Sequence, residues 1–361
     1  MANQLSFPKN NHIMKVQIIL LLALTLMSCD NKPSKVKKSI SSVVIKDIYN
    51  DSAISIRAIE LLNDKSLAFA ANNGVFGLYD PKSESWMTSI QTYDSLNPHF
   101  RAVAHTSTDF FMLSVESPTL LYKTGAAGQM ELVYKEEGEK VFYDAMTFWN
   151  DQEGIAIGDQ VDGCLSVIMT RDGGQSWEKL PCDKLLKSEK GEGAFAASNT
   201  NIAVFGENTW IATGGKVSRI WYSPDKGKSW DIFDTPMING METTGIYSLD
   251  FYDDNNGFAF GGDYTAPKNN IANKIITNDG GRTWTVVSDG KSPGYRSCVQ
   301  YVPDSNAHSL VTVGFEGIDY SSDMGKTWEH LSDESFYTIR FLNDSTAYAA
   351  GKGRISQLRF Q

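Results

Sequence analysis

The feature that most constrains the fold of this chain is a short turn motif that occurs four times. Segments 170–177 (TRDGGQSW), 223–230 (SPDKGKSW), 277–284 (TNDGGRTW) and 321–328 (SSDMGKTW) all fit S/T-x-D-x-G-x-S/T-W. Their acids, Asp172, Asp225, Asp279 and Asp323, fall about 45 to 55 residues apart, the period of a four-stranded blade in a radial all-β repeat. Each element of the motif has a mechanical task. The carboxylate can accept hydrogen bonds from backbone N–H groups of the turn and from the Ser/Thr hydroxyl. The glycine permits the positive φ that such a turn demands. Trp177, Trp230, Trp284 and Trp328 then begin an outermost strand and wedge between blades. On this reading the four aspartates are structural, not catalytic or metal-binding.

The same grammar runs along the chain. In 246–287, IYSLDFY reads as an innermost strand, FAFGG as the second, KIIT as the third and TWTVV as the outermost. The DDNNG between the first two is explained by turn chemistry, and its spacing does not fit an EF-hand calcium loop. Equivalent units are read at 55–86, 99–134, 141–180, 195–233 and 295–331, the first with a degenerate motif (YDPKSESW) and the second with a decayed one (YKTGAAGQ). Residues 336–360 supply only three strands, and 42–49 (SVVIKDIY) can supply the fourth. That strand would close the ring and remove two open sheet edges. The expected fold is all-β, a seven-bladed β-propeller of four-stranded blades over 41–361 whose ring is closed by an N-terminal strand.

Ahead of the repeats lies an address. Residues 16–27 (VQIILLLALTLM) form an apolar run too short to cross a bilayer as a helix. Lys15 precedes it, and Leu26-Met27-Ser28-Cys29 at its end resembles a bacterial lipobox. Residues 1–28 then read as a signal peptide, Cys29 as the lipidated residue and 29–40 as a polar, basic tether. Acyl chains would hold the domain at a bilayer surface of the bacterial cell envelope, on its periplasmic or cell-surface face, without spanning it. The formal charge is −10, and loss of Lys9 and Lys15 with the signal peptide makes it more negative still. An acidic chain is a poor partner for nucleic acid. No phosphate-cradling loop, dinucleotide fingerprint or metal-spaced His/Cys set occurs, so neither cofactor nor metal is expected. Cys164 and Cys182 lie equally far from Gly173. An antiparallel hairpin would set them face to face, and an oxidising compartment permits a disulfide, two separate buried thiols being the alternative. Cys298 reads as a buried free thiol.

With these residues in view, the chain resembles the Asp-box (BNR-type) propeller family that includes the photosystem II stability/assembly factor and its bacterial homologues. The resemblance rests on the four motifs and on 142–149 (FYDAMTFW), 158–163 (GDQVDG), 195–200 (FAASNT), 261–264 (GGDY) and 294–297 (GYRS). It covers nearly all of the mature chain. It implies a binding or assembly propeller with no known chemistry. Some bacterial relatives carry an oxidoreductase label, for which no flavin, nicotinamide, haem or metal motif is found here.

In a propeller the innermost strands line the central channel. Aligning them places Arg57, Arg101, Asp144, Ser248, Ser297 and Thr338 at about equivalent positions, with Arg296 one residue earlier. Asp159, Asp162, Asp263, Tyr264 and Glu316, on the connections, are candidate rim residues. Arginine presents a planar fork suited to carboxylate or phosphate. Two readings stand side by side. The arginines pair with Asp144 and neighbours to hold the blades together, or they bind a protein partner, an acidic peptide or an anion at the channel mouth. The second describes a monomeric, non-catalytic lipoprotein. The rival from another class is a sialidase-type glycoside hydrolase, which would use three channel arginines, a Tyr nucleophile with a Glu partner, and a separate acid. Tyr143, Tyr247, Tyr295 and Tyr337 are available on inner strands, but no Glu is evident beside them. Glycan binding without hydrolysis is a further alternative. The anchor is directly testable: Cys29→Ser should abolish metabolic incorporation of labelled palmitate and release the protein from membranes, and continued labelling of the variant would refute it.

Overall fold

The computed structural model describes residues 40–126 and 128–361; the signal segment, Cys29 and residues 30–39 lie outside them. Seven antiparallel sheets follow one another along the chain and form the seven blades. Blade 1 comprises Ala58–Leu61, Leu67–Ala70, Val75–Asp80 and Ser85–Ile90; blade 2 comprises Phe100–His105, Phe110–Ser114, Thr119–Thr124 and Met130–Glu136. Blade 3 is Tyr143–Phe148, Gly154–Val161, Cys164–Thr170 and Glu178–Lys179, and blade 4 is Ile202–Phe205, Asn208–Ala212, Arg219–Ser223 and Asp231–Asp234. Blade 5 is Thr244–Phe251, Gly257–Asp263, Lys274–Thr277 and Thr285–Val286, its inner edge extended by the two-residue strands Gly214–Gly215 and Glu192–Gly193, and blade 6 is Cys298–Tyr301, Leu310–Gly314, Gly317–Ser321 and Glu329–Ser332. Blade 7 uses Thr338–Phe341 and Thr346–Phe360, the latter folding back so that the Phe360 N–H donates to the Ser345 carbonyl. Val43–Ser55 pairs antiparallel with its returning arm, Val43 opposite Phe360. The first strand of the domain thus completes the last blade and closes the ring. Ile40, just ahead of it, is already buried in the core between blades 6 and 7.

Middle strands are covered on both faces by neighbouring blades, so burial along them is continuous and not alternating. Cys164–Thr170 and Gly317–Ser321 are buried at every position, whereas the outermost Ser85–Ile90 is almost wholly exposed. The four repeated turns have one geometry. In the first, Asp172 accepts from the Ser176 N–H at 3.0 Å and the Ser176 hydroxyl at 2.6 Å, while the Thr170 hydroxyl accepts from the Gly174 N–H at 2.8 Å. Gly174 has φ +79°, and a Cβ there would run into the Phe111 ring of blade 2. Trp177 packs against that same ring, so each turn rivets its blade to the one before. Trp230, Trp284 and Trp328 do the same for their blades. Trp86 fills the place between blades 7 and 1, beside Tyr79 and Tyr348. Blade 2 has no tryptophan, and the outer seam between blades 1 and 2 holds a cleft of about 670 Å³ lined by Phe76, Leu78, Met87, Phe110 and Met130.

Two sequence expectations change in detail. Cys164 and Cys182 are joined by a disulfide with Cα atoms 5.8 Å apart. Cys182, however, does not lie in the facing strand. Pairing ends at Ile168 opposite Lys179, and Cys182 sits in the short 3-10 turn Cys182–Lys184 that follows. Cys298 is buried and free. The larger change concerns blade 4, whose innermost strand is Ile202–Phe205 and does not start at Phe195. Residues 195–201 form no strand and are withdrawn from the blade to the axis of the ring.

The turns also carry a pH signature. Burial by itself would raise the Asp279 carboxyl, but hydrogen bonds from the Thr283 hydroxyl and N–H and from the Thr277 hydroxyl outweigh it and hold the group below the ordinary carboxylate range. Its stabilisation is therefore present above the unfolded-state pKa and lost as pH falls through the folded value. Asp279→Asn should lower stability by about 1–2 kcal/mol at pH 7, and urea titrations of variant and wild type should converge as the pH falls through the depressed folded-state pKa of Asp279.

Candidate functional site

Residues 195–201 plug the channel. A segment without strand partners must still satisfy its buried polar groups, and this one does so on the inner strands around it. The Asn199 amide donates to the Val103 carbonyl of blade 2 at 2.7 Å, and its Oδ1 accepts from the Met146 N–H of blade 3 at 2.9 Å. The Ser198 hydroxyl donates to the Ser297 carbonyl just ahead of blade 6 at 2.7 Å. The Thr338 hydroxyl of blade 7 donates to the Ser198 carbonyl at 3.0 Å, and the Thr200 carbonyl accepts from the Leu249 N–H of blade 5 at 2.8 Å. Asn199 takes φ +59°, the left-handed region that asparagine tolerates better than most residues. Small side chains, Ala196, Ala197 and Ser198, allow the chain to cross the narrow axis.

The plug turns the channel mouth into a blind bowl. Arg57 and Arg101, at equivalent positions of blades 1 and 2, each spend one Nη1–H on the plug, long contacts of 3.4 Å to the Ala197 carbonyl and 3.5 Å to the Ala196 carbonyl. Among the described residues neither has a carboxylate within ion-pair distance. The Arg57 guanidinium lies 4.1 Å over the Tyr337 ring. The Arg101 Nε–H donates to His99 Nε2 at 3.2 Å. Burial, then Arg101 and Arg57, push His99 down to about 4, so it is a neutral acceptor at neutral pH. Burial and the neighbouring Arg57 also depress Arg101. These two cations face a cavity of about 260 Å³ walled by Phe195, Tyr247, Tyr264, Tyr295, Phe315 and Tyr337. Phe195 stacks on Tyr247 at 4.0 Å, and Tyr295 meets Tyr247 edge-on. Tyr264 and Phe315 are exposed at the lip.

A second cavity, of about 500 Å³, adjoins the first through Arg101, Phe195 and Ala196 and has the opposite character. It holds Asp144, Asp159, Gln160 and Glu242. Asp144 is fully buried and neither carboxyl oxygen has a well-formed hydrogen bond. Burial and then Asp159 push its pKa well above the ordinary carboxyl range, against the weaker pull of Arg101 and the Ala196 amide. Asp159 accepts from the Ala194 N–H at 3.0 Å, and burial raises it to about 6. Gly193 is packed so closely on Asp159 that a Cβ would strike the carboxylate.

Of the residues the sequence singles out, Arg57, Arg101, Asp144, Asp159 and Tyr264 share these two cavities. The others go elsewhere. Arg296, one residue out of register, points away from the arginine pair because successive side chains of an extended chain point to opposite faces. It is buried against Asp319 at 2.6 Å and donates to the Tyr295 and Glu316 carbonyls. Glu316 contributes that carbonyl, and its side chain is exposed. Asp263 is consumed by its own turn, accepting from the Thr265 N–H and hydroxyl at 2.9 and 2.6 Å. Asp162, with φ +54°, forms the hairpin tip with Gly163. Asp144 pairs with no arginine. The plug, Phe195 and Phe315 were not visible as site residues. The failure of 195–201 to show a clear strand pattern was the available signal. A Tyr–Glu pair exists, Tyr143 donating to Glu136 at 2.7 Å, but it lies in the seam between blades 2 and 3 with Tyr134 and Lys179, away from the arginines. No three His, Cys, Asp or Glu side chains among the described residues are grouped to hold a metal.

No family model and no curated sequence matches the chain. Similar solved structures include YCF48 bound to D1 peptide, at TM-score 0.61 and 11% identity over 90% of this chain and 96% of that one. A streptogramin B lyase structure gives 0.66 and 11% over 90% and 100%. The GH74 xyloglucanase from Xanthomonas campestris gives 0.62 and 12% over 88% of this chain and 54% of its own. At such identities the likeness is one of fold. That fold serves peptide binding in one case and enzymes in others, so the side chains at the mouth must decide. The plug itself is testable. Asn199→Ala strands a buried carbonyl and a buried N–H and should cost about 2–4 kcal/mol, read as a lower urea midpoint; an unchanged midpoint would mean that the segment does not brace the ring.

Proposed function

We propose that this chain is a non-catalytic binding propeller of the Asp-box type that receives a carboxylate-bearing segment of a protein partner in the bowl over the plug. The observation that carries this reading is the arginine pair. Two guanidinium groups stand side by side without a carboxylate, with most of their donors unspent, at the floor of an open aromatic cavity. Charged groups without partners are costly to bury, and a bidentate carboxylate would satisfy both. The aromatic walls add apolar area and exclude water around that contact. The similar structure with a bound peptide supports the same use of the fold. The lipid anchor at Cys29 would hold this monomeric domain at an envelope membrane and so present the bowl to membrane-associated partners.

Short peptides with a free C-terminal carboxylate, and the same peptides amidated, separate this reading from others by fluorescence polarisation. The free acids should bind more tightly, and the Arg57→Gln/Arg101→Gln double variant should weaken them on the order of 10- to 100-fold, the worth of one or two charge-assisted hydrogen bonds. Equal binding of acids and amides, or indifference to the double variant, would refute it.

A further inference from the structure

The bowl has a guanidinium-lined lobe and a carboxyl-lined lobe, and the proposed carboxylate contact uses only the first. From the juxtaposition of the Asp144–Asp159–Glu242 lobe with the Arg57–Arg101 lobe, we infer that the site selects a dipolar peptide segment. In such a segment a lysine or arginine side chain lies within a residue or two of the carboxylate. This inference rests on the carboxylate reading above and specifies which carboxylates are accepted.

Three observations point the second lobe at a cation. Asp144 is fully buried on its wall, and neither carboxyl oxygen has a well-formed hydrogen bond, the Ala196 amide pulling on it only weakly. Such a group is costly unless something arrives to satisfy it. Asp159 gives only Oδ1 to the Ala194 N–H just ahead of the plug, and its Oδ2 has no partner among the described residues. Glu242 stands exposed on the rim of the same cavity, so carboxyl groups run from its floor to its mouth. Glu192, which also lines it, is excluded from this role because Arg219, Trp221 and Thr213 already occupy its oxygens.

The chemistry of the occupant follows. The acidic side chains are not grouped as a metal site among the described residues. An ammonium or guanidinium on a flexible stem fits better, because the stem can lie along Phe195 and the glycine-rich wall at Gly214 and Gly215 while the head reaches the acids. The lobes meet at Arg101, Phe195 and Ala196, so one short segment can enter both. Arg101 stands between the lobes and repels a cation placed in the wrong one. The arrangement therefore fixes polarity as well as composition.

The test uses the purified full-length protein and pairs of pentapeptides with a free terminal carboxylate, identical except for Lys or Gln at the penultimate position. Wild type should favour the lysine peptide about tenfold, one charge-assisted contact. Asp159→Asn keeps an oxygen for the Ala194 amide and should abolish most of that preference, read as the ratio of the two peptides' affinities. Glu242→Gln, on the exposed rim, should reduce the preference partly and remains informative if the first variant does not fold. Equal affinity of the two peptides for wild type, or a preference that survives both variants, overturns the inference while the carboxylate reading stands. Indifference of both peptides to Arg57→Gln/Arg101→Gln overturns the carboxylate reading instead, and binding of neither peptide overturns both.

Discussion

The structure depends on the hydrogen bonds that fasten residues 195–201 across the axis of the ring. Seven blades around an axis leave a channel lined by inner-strand side chains, and a channel of that kind must be filled with water or with protein. Here the chain fills it on its way into blade 4. The crossing segment is tied to blades 2, 3, 5 and 7 and to the carbonyl of Ser297 ahead of blade 6. Arg57 of blade 1 reaches it as well. Each buried polar group of Asn199 is matched by a main-chain group of a different blade, so a shift of one blade against another would unpair something buried.

The binding reading follows from the same constraint. A strand segment would have consumed its own N–H and carbonyl groups within a sheet. A plug offers them to the channel wall, and the two arginines of blades 1 and 2 meet it with one donor each. Most of their donors remain turned to the cavity above. On the other side, Asp159 is held by the Ala194 amide at the entrance to the plug, and Asp144 is left with no strong donor. The plug thus separates a cationic, aromatic lobe from an acidic one at a shared wall.

The fold was legible because it repeats. The turn motif specifies its own hydrogen bonds through residues four positions apart, and its tryptophan specifies the packing against the preceding blade. Such interactions are local or nearest-neighbour, and the sequence pattern records them. The register of the inner strands was readable for the same reason: Arg57, Arg101, Asp144, Ser248, Ser297 and Thr338 all meet the plug or its cavities. Arg296 shows the limit of that reading. A displacement of one residue reverses the side chain, and it found Asp319 inside its own blade.

The sequence by itself determined the all-β class, the number of blades, the closure of the ring by the strand after residue 42, and the hairpins that rivet blade to blade. Only the tertiary structure decided what occupies the axis. Residues 195–201 have no periodicity that marks them as a plug, because their partners are main-chain and side-chain groups contributed from around the ring, as distant in sequence as the Arg340 guanidinium that donates to the Ser198 carbonyl from 142 residues away. The choice between arginines that brace the blades and arginines free to bind likewise rested on distances between chains of side groups that no spacing along the sequence encodes.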